Sequence, residues 1–149
     1  MSSLLVIGVG NEHRRDDGAG VQTARKLAAK RLPGVVVRAG DLLGEDWRGF
    51  SRVCLVDAVV SGAPPGTIHR LDGHRDRLVP ESFRGSTHAL GIVEAIELYR
   101  RVAALPPVLT IYGIEGLAFG EGDTLSAEVA RAVDEVVTDL VHLAAARDP

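Results

Sequence analysis

Apolar residues in this chain fall into short unbroken runs, separated by longer stretches where they recur at helical spacing. Leu4-Leu5-Val6-Ile7 opens the first run, which reaches about Val9 and has no polar face. A strand of that kind is buried on both sides, as in the middle of a parallel sheet. Residues 17–30 follow, with Val21, Ala24, Leu27 and Ala28 on one stripe, and Pro33-Gly34 stops this helix. Val35-Val36-Val37-Arg38 reads as a second strand. Residues 42–50 read as a short helix that turns Leu43, Trp47 and Phe50 inward. Val53-Cys54-Leu55-Val56 is a third strand, ending at Asp57. After the turn-rich residues 61–66, residues 67–71 alternate and predict a fourth strand. Residues 72–86 are polar, Arg-rich and irregular, the best candidate for a mobile surface loop.

A long helix is expected to open near Thr87-His88 and run to about Val102, with Leu90, Val93, Ile96 and Leu98 at helical spacing. Pro106-Pro107 breaks it, residues 108–114 make a fifth strand, and Ser126 starts a last helix reaching about Ala145. Ser126 followed by Glu128 gives that helix a cap and an early acidic residue. Strands alternating with helices predict an α/β domain with a mostly parallel sheet of about five strands, covered on both faces. A strand order beginning 2-1-3 would set strands 1 and 3 side by side with a switch point between them.

The most informative stretch joins strand 1 to helix 1: Gly8-Val9-Gly10-Asn11, then Asp16-Asp17-Gly18-Ala19-Gly20. Asp16 or Asp17 can cap the helix, where a carboxylate meets free N–H groups and the positive end of the dipole. Two adjacent carboxylates are more than a cap needs. Ligands in such sheets bind beyond the carboxyl ends of the strands. Asp17 after strand 1, Asp57 at the end of strand 3 and His88 at a helix start all fall there. Two carboxylates and an imidazole suit a divalent cation of borderline hardness, such as nickel or zinc. Each also has a plainer role open to it: Asp17 as a cap, Asp57 as an acceptor for loop N–H groups, His88 as an unpartnered helix-start residue. Their spacing matches no sequence-level metal motif. Dinucleotide binding fits less well, because the third glycine of that fingerprint would fall at His13 and Asp17 would repel a pyrophosphate.

Composition narrows the picture. With 149 residues, the chain is long enough for one domain with a real core. It is 46% hydrophobic and 25% charged, with net charge −3, so no basic field draws it to nucleic acid or an anionic membrane. The single cysteine, Cys54, excludes an internal disulfide and reads as core. No apolar run approaches bilayer-spanning length, and a cytoplasmic monomer is the default expectation. His69 is expected on the polar face of strand 4, and His13, His74 and His142 at the surface. Arg14, Arg15, Arg75, Arg77 and Arg84 are candidate contacts for a partner's carboxylate. Ser86 and Thr87 lack the base and orienting acid of a hydrolase triad.

Strand-Gly8-x-Gly10-Asn11 followed by Asp16-Asp17-Gly18-x-Gly20 resembles the hydrogenase maturation endopeptidase family. Asp57-Ala58-Val59, Pro65-Gly66, Thr87-His88, Tyr112-Gly113-Ile114-Glu115 and Leu125-Ser126-x-Glu128-Val129 extend the resemblance over nearly the whole chain. It implies a three-layer α/β/α sandwich. It also implies an endopeptidase that removes a C-terminal extension from the large subunit of a nickel–iron hydrogenase after nickel insertion. The family's metal-contacting residues map onto Asp17, Asp57 and His88, and the nickel, or another divalent metal, would be presented by the precursor. The first of these is often Glu in the family and is Asp here. Where many members carry Gly-Gly-Thr-x-Gly after strand 2, this chain has Ala39-Gly40-Asp41-Leu42-Leu43-Gly44, which bears on the identity of the substrate. A non-catalytic metal-sensing assembly factor and a related protease with another protein substrate remain the alternatives.

Overall fold

The computed structural model describes residues 3–40, 46–83 and 91–146. Among them are strands β1 (Leu4–Val9), β2 (Val35–Gly40), β3 (Arg52–Val59), β4 (Ile68–Asp72) and β5 (Val108–Glu115). The helices are α1 (Ala19–Ala29), α2 (Ile92–Val102) and α3 (Ala127–Ala145). The strands form one sheet in the order β2-β1-β3-β5-β4. All neighbours are parallel except β4, which runs antiparallel to β5. The expected α/β/α sandwich and the 2-1-3 start of the strand order are both present.

β1 and β3 are buried along their whole length because each lies between two strands and beneath helices on both faces. Alternate residues therefore feed two cores. Leu4, Val6, Cys54, Val56 and Ile114 pack with Leu27 of α1 and Val133, Val136 and Leu140 of α3. Leu5, Ile7, Leu55, Leu109 and Ile111 pack with Ile92, Ala95 and Ile96 of α2. Fully burying each such side chain contributes about 1.5–3 kcal/mol. Trp47 stacks on Tyr99 of α2, with ring centroids 4.6 Å apart. At the opposite end of the sheet from the first loop, buried Arg52 donates from Nη1 to the Leu143 carbonyl at 2.6 Å, placing a cation on the last turn of α3.

Several local expectations change. Residues 46–50 are not helical, and the rest of the helix expected over 42–50 lies outside the described residues, as does Leu43. α1 starts at Ala19 behind a 3-10 turn over Arg15–Gly18, and Ala28 is exposed rather than part of the buried stripe. α2 as described starts at Ile92 behind an extended Gly91, the expected start at Thr87-His88 lies outside the described residues, and Leu98 is 49% exposed. Of the stretch expected to be mobile, residues 73–83 are irregular but fastened. Gly73 donates to the Leu109 carbonyl at 2.7 Å, and buried Phe83 bridges Val59.

Cys54 is 1% exposed, and burial pushes its thiol up to about 12. A thiol-specific colour reagent is expected to leave it unmodified in the native protein and to titrate one thiol after denaturation. Rapid native labelling would contradict this placement.

Candidate functional site

The loop from β1 to α1 crosses the carboxyl ends of β1 and β3. Gly10 sits there with φ +130, a conformation that side chains rarely adopt. A Cβ on Gly10 would run into the Asp17 carbonyl and stand 4.0 Å from Asp57 Oδ1. The bare backbone of Gly10 is thus the point where the Asp17 segment and the Asp57 side chain approach one another. Asp17 is 1% exposed and Asp57 0%. The Asn11 N–H donates to Asp17 Oδ2 at 3.1 Å. Asp57 is not the last residue of its strand. It lies two short of the end, paired in register with Gly113 of β5.

The neighbouring acid has a different task. Asp16 is fully buried and accepts four hydrogen bonds, from the N–H groups of Leu117, Ala118 and Ser126 and from the Ser126 hydroxyl, all at 2.8–2.9 Å. Burial pushes its carboxyl up, but the N–H groups of Ala118, Ser126 and Leu117 outweigh this and hold it below its ordinary value. Backbone bonds from Arg15 to Gly122 and from Gly122 to His13 join the same two loops, and Arg15 takes φ 49 to make its share. Neither aspartate caps α1, whose N-cap Gly18 has no side-chain bond. The Ser126 side chain does not cap α3 either, since its hydroxyl is given to Asp16. Asp16 fixes the loop, and Asp17, next in the chain, sets its carbonyl against Gly10 and takes the Asn11 N–H on its carboxylate.

The structure therefore sets the Asp17 backbone carbonyl and the Asp57 side chain beside the same glycine, Gly10. His88 lies outside the described residues, as do Asp41, Leu42, Leu43 and Gly44 of the loop after β2. Among the described residues, no group of three or more His, Cys, Asp or Glu side chains comes close enough to hold a metal ion. His13, Arg14, Arg75, Arg77 and His142 are exposed as expected, and Arg84 lies outside the described residues. Arg15 is held in place by its Nε, which donates to the Thr124 carbonyl at 3.1 Å. The His74 ring is not simply solvated but bonds the Pro106 carbonyl at 2.7 Å.

A second polar cluster escaped the sequence reading. Glu115, at the end of β5, is 2% exposed. Its carboxylate accepts from the Ser61 N–H at 2.8 Å and the Ser61 hydroxyl at 2.6 Å, and it meets His69 Nε2 at 3.1 Å. Burial pushes the Glu115 carboxyl up, but the Ser61 hydroxyl and N–H, followed by His69, overcome this and hold it below its ordinary value. The ionised carboxylate can only accept, so His69 Nε2 carries the proton. The Ser61 hydroxyl points at the acid rather than the imidazole, so the three groups are not a nucleophilic triad. An acidic residue closing an otherwise apolar strand, as Asp57 nearly does on β3, was the available signal.

A doubly wound α/β protein with buried carboxylates at the carboxyl rim of its parallel sheet belongs to a class whose chemistry sits at that rim. The chain belongs to the hydrogenase maturation protease family, whose model, HycI, matches residues 39–143. It is 24% identical over 147 residues to a hydrogenase expression/formation protein, HupD, from Thiocapsa roseopersicina. That match covers 95% of this chain and 65% of the relative, so the chain spans about two thirds of the relative's length. The NiFe hydrogenase maturation protease HybD from Thermococcus kodakarensis superposes with a TM-score of 0.70 at 25% identity, covering 95% of this chain and 99% of that one. An endopeptidase from Escherichia coli superposes with a TM-score of 0.75 at 22% identity, covering 94% and 90%, and shares the fold. Among the described residues, no helix is long and apolar enough to cross a membrane.

Proposed function

We propose that this chain is an endopeptidase that removes the C-terminal extension of a nickel–iron hydrogenase large-subunit precursor once nickel has been inserted. The observation that carries the reading is the burial of Asp17 and Asp57 in the two segments that approach Gly10 at the carboxyl rim of the sheet. Family membership supports it. Asp17 and Asp57 offer hard oxygen donors and His88 an imidazole, a donor set suited to nickel. The nickel is part of the substrate, and recognition by these three residues would position the extension for hydrolysis. A precursor without nickel would lack this handle, so cleavage would wait on cofactor loading. Partner and compartment follow from the same reading: a large-subunit precursor, met in the cytoplasm by a monomeric enzyme.

The test is mass spectrometry of precursor, nickel-loaded and nickel-free, before and after incubation with the protein. Loss of a C-terminal peptide from the loaded form alone is expected. His88→Ala should retain the wild-type melting temperature and abolish processing, since loss of a ligand costs more than the roughly 10–100-fold typical of disturbing the groups behind it. An unchanged mass with stable binding would make the protein an assembly factor instead. Cleavage by His88→Ala at the wild-type rate would remove His88 from the site.

A further inference from the structure

Beside Asp57 the sheet carries a second binding feature. Asp57 of β3, Gly113 of β5 and His69 of β4 are register partners in one row across three strands. Paired residues share a face, so the three lie on the α2 side of the sheet, with Val59 and Leu71 one step along their strands. Gly113 has no side chain to fill the space between the other two. A Cβ there would come within 2.9 Å of Val59 Cγ1 and 3.6 Å of His69 Cβ. Above His69 the chain returns from β4 through residues 77–83 and borders an open pocket of about 110 Å³. Val59, Leu71, Val79 and Phe83 supply apolar walls, and His69 supplies an imidazole already fixed by Glu115.

We propose that this pocket is a substrate subsite, in which His69 and the apolar walls bind one aliphatic side chain of the precursor's tail and thereby set the register of cleavage. The proposal rests on the function proposed above and names a specificity determinant for it. Four observations carry it. The volume fits a side chain of valine-to-leucine size and not a whole cofactor, since a cavity of about 150 Å³ holds benzene. Because Nε2–H is given to Glu115, Nδ1 is the remaining polar atom of the ring. On a neutral ring it accepts, as a peptide N–H running past the pocket requires. Exposed Val79 lines the pocket. Val60, equally exposed, adjoins it through its N–H bond to the Ser82 carbonyl at 2.7 Å, so an apolar rim awaits an apolar partner. The pocket also lies in the same row of the sheet as Asp57. His69 stands two strand spacings from Asp57, about 10 Å, which an extended peptide covers in about three residues.

Two variants test this with full-length nickel-loaded precursor. Val79→Phe narrows the pocket from an exposed position, and His69→Gln removes the imidazole while keeping a polar side chain. Each is expected to raise KM by on the order of 10-fold, the effect of about a methylene's misfit in an apolar pocket, with kcat within about twofold and melting temperature unchanged. Alanine replacement of single tail residues in the precursor should then be nearly silent with Val79→Phe at one position, about three residues from the cut, and costly there with the wild type. Wild-type KM for both variants, or equal sensitivity to every tail position, would overturn the proposal. Failure of the wild-type protein to cleave any precursor would instead overturn the function on which it rests.

Discussion

Asp16→Asn is expected to lower folding stability by about 3–4 kcal/mol, more than most point substitutions do. The wild-type carboxylate accepts four hydrogen bonds with no exposure to water. An amide of the same shape keeps one acceptor oxygen and turns an NH2 group toward donors. Each buried donor left without an acceptor costs about 1–3 kcal/mol, partly recovered by relaxation of the loop. Urea unfolding with an unchanged slope and a lower midpoint would report it. The pH dependence has a definite sign. The folded-state pKa of Asp16 is lowered below its ordinary 3.8, so its contribution is complete above that value and is lost as pH falls through the folded-state pKa. The wild type should therefore weaken on acidification below about pH 4, and the variant should show a shallower fall in that window. Equal acid slopes in the two proteins would show that Asp16 does not carry this charge in the folded state.

Gly20→Ala is expected to destabilise by about 3 kcal/mol, although alanine is the better helix former by about 1 kcal/mol. The added methyl would strike the Val56 and Val9 carbonyls and lie 2.9 Å from the Val9 nitrogen. These are backbone atoms of the two central strands and cannot move aside as a side chain would. α1 must therefore withdraw from the sheet, a strain at the upper end of the overpacking range. The same movement would displace Asp17 from Gly10, so processing activity should fall along with the melting temperature. A melting temperature at or above wild type would mean that the helix does not approach the strands as closely as described.

What the sequence revealed depended on whether the deciding interaction was local. The apolar runs of β1 and β3 announced buried strands because burial on both faces leaves few polar positions to confuse the pattern. Family resemblance at Gly8, Gly10 and Asp17 pointed to the rim where the Asp17 segment and Asp57 both approach Gly10. The division of labour between Asp16 and Asp17 was not legible. A helix start offers the same local capping role to either acid, whereas the groups that claim Asp16 are more than 100 residues away in sequence. His69 was expected on a polar face for a related reason. Alternation along one strand says nothing of Glu115 on its neighbour, and the antiparallel direction of β4 that aligns His69 with Gly113 has no sequence signature. Leu98 shows the limit of periodicity itself, since a helix lying on one face of a sheet leaves some apolar positions at the edge of its stripe.

The bonds that tie residues 13–16 to residues 117–126 have a consequence for biosynthesis. Leu117, Ala118 and Ser126 follow Asp16 by 101, 102 and 110 residues. At a translation rate of roughly 5–20 residues per second, their arrival lags by roughly 5–20 s. A nascent chain therefore carries its acidic loop unfinished until the ribosome has made most of the protein. Competence is gained in a late step, so a truncated or stalled product would hold the acids without the frame that aims them.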